Sequence, residues 1–115
     1  MASYNDLESA MAEVFGNKWA QPAFYGDAPQ PTYACLVPLD GATTFASDRA
    51  HVVEVRYAIE VYARYRDRDT EQALHVALAA RGIGYELDYD LSPEDQLLRA
   101  TFTTSPVTEF TGESD

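Results

Sequence analysis

The sequence predicts an α+β domain: one mostly antiparallel sheet with two helices packed on one face, in the order helix, strands, helix, hairpin. Three observations predict it. Apolar residues recur at helical spacing in two short segments, Leu7 to Phe15 and Ala73 to Leu78. Apolar and polar residues alternate from Val53 to Tyr65, again from Tyr85 to Leu91, and again from Leu98 to Phe102. The chain has 115 residues, which supports one core and not two.

The first helix places Leu7, Ala10, Met11, Val14 and Phe15 on one face. Ser3 is its N-cap, Asp6 and Glu8 suit the positive end of the helix dipole, and Gly16 is its stop. Ala23-Phe24-Tyr25 reads as a short strand ended by Gly26-Asp27 and the prolines Pro29 and Pro31. Thr32 to Val37 is a second strand, closed by Pro38. Leu39 to Ala50, with Phe45 its one large aromatic residue and many small polar ones, reads as a long loop between strands.

Val53, Val55, Tyr57, Ile59, Val61, Ala63 and Tyr65 then define the clearest strand, with Glu54, Arg56, Glu60 and Arg64 on its other face. More than ten residues is long for a strand, so it belongs at the centre of the sheet or projects beyond it. Arg66 to Asp69 is a charged turn. Asp69 and Gln72 have capping-box spacing and open a helix through Arg81, with Ala73, Leu74, Ala77 and Leu78 as its stripe and Gly82 as its stop. Tyr85, Leu87, Tyr89 and Leu91 pair as a hairpin with Leu98, Ala100 and Phe102 across the Ser92-Pro93-Glu94-Asp95 turn. The domain spans residues 1–107, and residues 108–115 form an acidic, flexible tail.

Composition narrows the function. Eight basic against nineteen acidic residues give a net charge of −11, which excludes nucleic-acid binding through a general basic surface. The lone Cys35 closes no intrachain disulfide and builds no zinc quartet. No run of eighteen apolar residues exists to span a membrane, and the N-terminus has no signal-peptide pattern. The expectation is a soluble, acidic protein of cytosolic type.

Candidate chemistry is thin. Glu86, Asp88 and Asp90 share a strand face, but a flat strand spaces its side chains too widely to wrap calcium, so they read as an acidic stripe answered by Arg99. Nothing in spacing joins Cys35 to His51 or His75, and a cysteine in a buried strand acts as a small hydrophobe. Gly82-Ile83-Gly84 follows a helix, whereas phosphate loops precede one. The eight tyrosines serve the core (Tyr57, Tyr65, Tyr85 and Tyr89) or an interface (Tyr33 and Tyr62), and the two readings weigh evenly. No residue is assigned to catalysis, to a metal or to a cofactor. These features favour an assembly subunit.

A set of fragments in order resembles a known family. They are Pro31-Thr-Tyr33-Ala-Cys-Leu36, Thr44-Phe45-Ala46-Ser-Asp48, Tyr57-Ala-Ile59-Glu60-Val61-Tyr62, Arg66-Asp67-Arg68-Asp69-Thr-Glu71, Gly82-Ile83-Gly-Tyr85-Glu86 and Leu97-Leu98-Arg-Ala-Thr-Phe102. Together they resemble the small tail-completion proteins, or tail terminators, of long-tailed phages and prophages, over roughly residues 31 to 102. Thr44 stands where asparagine is common, and arginines stand where lysines often occupy the charged turn. The first thirty residues and the acidic tail match poorly.

The resemblance implies a structural virion protein. It would form a ring with copies of itself, typically six, at the head-proximal end of the tail, after assembly in the host cytoplasm. Its neighbours would be the tail tube protein and a head-completion or connector protein, with DNA passing through the channel unbound and no membrane involved. The negative charge fits that role, since an acidic lumen repels DNA. On this reading Phe45, Asp48 and Arg49 on the loop, and Arg66 and Arg68 in the charged turn, contact neighbouring subunits or the tube. The alternative is a monomeric acidic adaptor or inhibitor that binds a basic protein partner. A small-molecule enzyme remains only as a remainder.

Overall fold

The side chain of Ser3 accepts a hydrogen bond from the Asp6 N–H, and the Asp6 carboxylate accepts one from the Ser3 N–H at 2.9 Å. This reciprocal capping box opens helix α1 (Tyr4–Phe15), and Gly16, at a φ of +63°, closes it, as the sequence predicts. The computed structural model describes residues 2–46, 49–92 and 96–111. After α1 come strands β1 (Trp19–Ala20), β2 (Tyr33–Ala46) and β3 (Arg49–Ala63), helix α2 (Arg68–Ala80), then β4 (Tyr85–Leu91), β5 (Leu98–Thr104) and β6 (Val107–Thr111).

The sheet runs β1-β2-β3-β5-β4, and β6 also pairs with β3. All pairings are antiparallel except that of β1 with β2. The same edge of β3 is shared by two partners, Ala58 to Ala63 with β5 and Val52 to Val55 with β6. At the break between them the Tyr57 N–H donates to Thr104 Oγ1 at 3.1 Å, so a side chain satisfies this amide where the ladder is interrupted.

Both helices lie on one face, as expected. Leu7, Met11, Leu74 and Leu78 meet Leu36, Tyr57, Ile59, Phe102 and Val107 in one buried cluster. The alternation of β3 and β5 supplies the sheet side of this core, and the register sets Leu36, Ile59 and Phe102 in a row across three strands. Burial of such side chains stabilises by about 1.5–3 kcal/mol each. The opposite face carries Glu60, Tyr62, Arg99, Thr101, Glu86 and Asp88 by the same register. Helix α2 ends with Gly82 at a φ of +72°, the Ile83 N–H bonding to the Leu78 carbonyl at 2.9 Å.

Six expectations are corrected. Leu39 to Ala50 is not a loop: β2 continues to Ala46 and β3 starts at Arg49, paired as a hairpin. Its small polar residues hide the strand, because this part of the hairpin has no helix above it and so no apolar period to show. Pro38 does not end β2, which shifts register between Pro38 and Asp40 and carries on. Ala23 to Tyr25 is not a strand. Phe24 packs edge-on against Tyr33 with ring centres 5.5 Å apart, and the short first strand lies earlier, at Trp19.

The N-cap of α2 is Asp67 and not Asp69, since Asp67 bonds the Thr70 N–H and is also gripped by Thr32. The chain beyond Pro106 is not frayed up to Thr111: β6 extends the sheet through it, and the Thr108 N–H bonds to the Ala2 carbonyl at 2.9 Å. The core assignment of Tyr65 also fails, for β3 ends at Ala63 and Tyr65 is 84% exposed.

The hairpin dominates the shape. Fourteen residues of β2 span about 46 Å at the usual rise, close to the long dimension of 50 Å in a molecule 29 and 23 Å across. Truncating Ile59, fully buried at the centre of β3, to alanine is expected to cost about 2–5 kcal/mol in denaturant melts. Arg56→Ala, on the exposed face, is expected to leave the midpoint close to that of the parent.

Candidate functional site

Helix α2 turns Leu74, Ala77 and Leu78 toward the inner strands, so the edge strand β4 is left partly uncovered. Tyr89 is 41% exposed and Leu91 69% exposed, although both occupy the helix-side positions that the alternation reserves for the core. Between the first half of α2 and β4 lies an open groove of about 620 Å³, with Leu87 and Phe102 along its floor.

The groove is held in shape by one polar network. Glu71, almost enclosed, accepts from the Tyr89 hydroxyl at 2.6 Å and from Arg66 Nη2 at 3.3 Å. Arg66 also donates to the Tyr89 oxygen at 2.9 Å, and its guanidinium lies 5.1 Å from the centre of that ring. Burial, and then the Glu71 acceptor, push the Tyr89 phenol up from its usual pKa. Further along, His75 Nδ1 and the Tyr85 hydroxyl are 2.7 Å apart, with Tyr85 packed 4.9 Å from Phe102.

Asp67 anchors this end of the molecule. One oxygen accepts from the Thr70 N–H at 3.0 Å, and the other accepts from the hydroxyls of Thr32 at 2.7 Å and Thr70 at 2.8 Å. The Thr32 bond, followed by those of Thr70, holds the Asp67 carboxyl below the usual range. It ties the segment before β2 to the start of α2, and so fixes where Arg66 and Arg68 stand.

The opposite end is the projecting hairpin, flanked by β6. Asp40 and Arg56 form a two-pronged ion pair there, at 3.0 and 2.9 Å. Tyr57 donates its hydroxyl to Glu109 on β6, and burial together with that carboxylate pushes its pKa up. Phe110 is 62% exposed.

On the open face of the sheet, Tyr33 and Tyr62 stack at 5.1 Å, and Tyr62 donates to Glu60 at 2.9 Å. Arg99 answers Asp90 with two hydrogen bonds, as the sequence pairing predicts. Cys35 is buried, and that burial pushes its thiol up, away from the nucleophilic thiolate. Among the described residues no group of three or more His, Cys, Asp and Glu is placed to hold a metal ion, and no helix is long and apolar enough to cross a membrane.

The residues singled out in the sequence fall at two distant places. Arg66 and Arg68 both line the groove. Phe45 lies opposite Ala50 and Arg49 opposite Ala46, near the turn of the hairpin, while Asp48 lies outside the described residues. Arg49 opens β3 and Arg66 follows its end, so about 46 Å of strand separates the two sets. Sequence reasoning missed Glu71, which no local pattern links to a tyrosine eighteen residues away. It also missed Phe110, which belongs to a strand of only five residues.

No family model matches the chain, and no curated protein matches it. A chain from the virion of a native gene transfer agent particle is similar in structure. The two superpose with a TM-score of 0.61 at 16% identity, over 93% of this chain and 91% of that one. The likeness shows a shared fold.

The Asp67 geometry has a pH signature. Its folded pKa lies below the ordinary 3.8, so its stabilisation is complete above that value and is lost as pH falls through the folded pKa. Asp67→Ala is expected to cost about 0.5–2 kcal/mol at pH 7, and the gap to the parent should close in acid. Paired urea melts at neutral and acidic pH check this.

Proposed function

We propose that the chain is a structural protein of a virion, a tail terminator whose copies form a ring of six on the head-proximal end of the tail tube. The observation that carries this reading is the fold shared with a gene transfer agent virion chain over nearly the full length of both. The ordered sequence fragments from Pro31 to Phe102 point to the same class independently. The ring would abut the tail tube protein on one side and a head-completion or connector protein on the other, and DNA would pass through it.

The architecture suits the role. A two-layer core carries a projecting arm, and an arm that reaches beyond its own core finds its burial on a neighbour. Phe45, Asp48 and Arg49 near the hairpin turn make one contact with a neighbouring subunit or the tube, and Arg66 and Arg68 at the far end make another. The acidic balance keeps DNA from adhering to the channel.

Negative-stain images of the chain, alone and with tail tubes, test the reading. Rings at tube ends are expected, whereas a chain that stays monomeric and captures a basic protein would favour the adaptor role. Light scattering should show assembly strengthening as salt screens the repulsion of copies that each carry −11. Rings that dissociate on adding salt would refute that argument. Phe45→Ala should keep the melting of the parent yet fail to complete tails. A variant that unfolds like a core mutant, or that assembles normally, would overturn the assignment of Phe45.

A further inference from the structure

Two exposed apolar features sit at separate places on this chain and match each other in form. Phe110 stands on β6 opposite Val53, on the helix side of the sheet and beyond the cover of α1. The groove between α2 and β4 opens beside Leu87, Tyr89 and Leu91. One copy cannot join them within itself. Phe110 pairs opposite Val53 and the groove floor residue Phe102 opposite Ile59, six residues or about 20 Å away along β3.

The backbone is open at the same two places. Among the described residues β4 ends the sheet, with one edge of seven residues unpaired. β6 is paired to β3 on one side, and on the other, among the described residues, carries the single bridge from Ser3 to Thr108. Unpaired edges of this kind accept a strand from another chain.

Charge selects the occupant. At −11 each, two copies repel overall. The groove instead sets Arg66, Arg68 and His75 against Asp69 and Glu71, and the positive end of α2 points at it. The residues that follow β6 in sequence are Gly-Glu-Ser-Asp, two acids and no base. An apolar side chain followed by acids matches a groove with Leu87 and Phe102 on its floor and Arg66 and Arg68 in its lining.

We propose that the β6 arm of one copy docks along the open edge of β4 in a second copy, with Phe110 entering the α2–β4 groove and the acidic residues after β6 meeting Arg66 and Arg68. The contact is head-to-tail, since the arm and the groove are different surfaces, and a head-to-tail contact closes into a ring when its rotation divides a full turn. The inference rests on the ring reading above and names the surfaces that build the ring.

Sedimentation velocity on the full chain, from micromolar to about 1 mM, tests it with three variants. Phe110→Asp alters an exposed side chain and should keep the melting of the parent while moving the association midpoint roughly tenfold or more to higher concentration. Arg68→Glu, tolerated at a helix N-terminus, should weaken association as well. Adding Glu113→Arg and Asp115→Arg to Arg68→Glu should recover it. A parent chain that stays monomeric throughout overturns the docking, as does a charge-reversed triple variant no better than Arg68→Glu alone. Rings that form unchanged with Phe110→Asp overturn the docking and leave the ring reading standing. Rings absent from tube ends, with Phe110-dependent association intact, would do the reverse.

Discussion

Strand β3 is longer than the core that covers it, and the rest of the molecule follows from that mismatch. Fifteen residues span far more than two short helices can roof. The second half, from Tyr57 to Ala63, packs under α1 and α2 and takes β5 as its neighbour. The first half extends past the helices and takes β6. Because the two partners follow one another in the chain, the ladder must be broken between them. Thr104 sits at the break with its hydroxyl turned back to the Tyr57 amide, so the break is satisfied where it is buried. A domain built this way has a two-layered core at one end and a single layer of strands at the other.

That asymmetry explains what was legible in the sequence. The helix-side residues of β3, β5 and both helices have partners above them, so selection for burial leaves a clean period, and these elements read correctly. Among the described residues the arm gains only β6 as a further strand. Thr43 and Thr44 pair opposite Val53 and Val52, and nothing in their composition distinguishes a hairpin strand from a loop. β1 is too short to carry a period, and β6 too short and too close to acidic residues. The cap of α2 lies two residues before the position its local pattern suggests: Asp67 takes the Thr70 N–H and is held as well by Thr32, thirty-five positions away.

The candidate site was legible to the same extent and for the same reason. Arg66 and Arg68 stand out as a charged turn, and the structure brings them to one groove. What makes the groove is the path of α2 across the sheet, which leaves the last residues of β4 without a roof. The alternation of Tyr89 and Leu91 promises burial that the monomer does not provide. In the proposed docking a second copy supplies that cover.

The tyrosines resolve a difficulty that the charge balance creates. With nineteen acids and eight bases, a small domain cannot pair each carboxylate with a cation. The described ion pairs engage Arg56, Arg66, Arg81 and Arg99, which is already half of the bases. Phenols serve further carboxylates: Tyr57 donates to Glu109, Tyr62 to Glu60 and Tyr89 to Glu71. Burial pushes the pKa of each phenol up, to about 12 for Tyr62, and the acceptor carboxylate adds to the rise, so the donors stay protonated across the physiological range. A hydrogen bond from a neutral donor is short-ranged and lies within the fold, where salt screens it little, while repulsion between whole copies is long-ranged and is screened strongly. The phenols thus satisfy three carboxylates inside the fold without cations, while the net charge of −11 stays for ionic strength to screen.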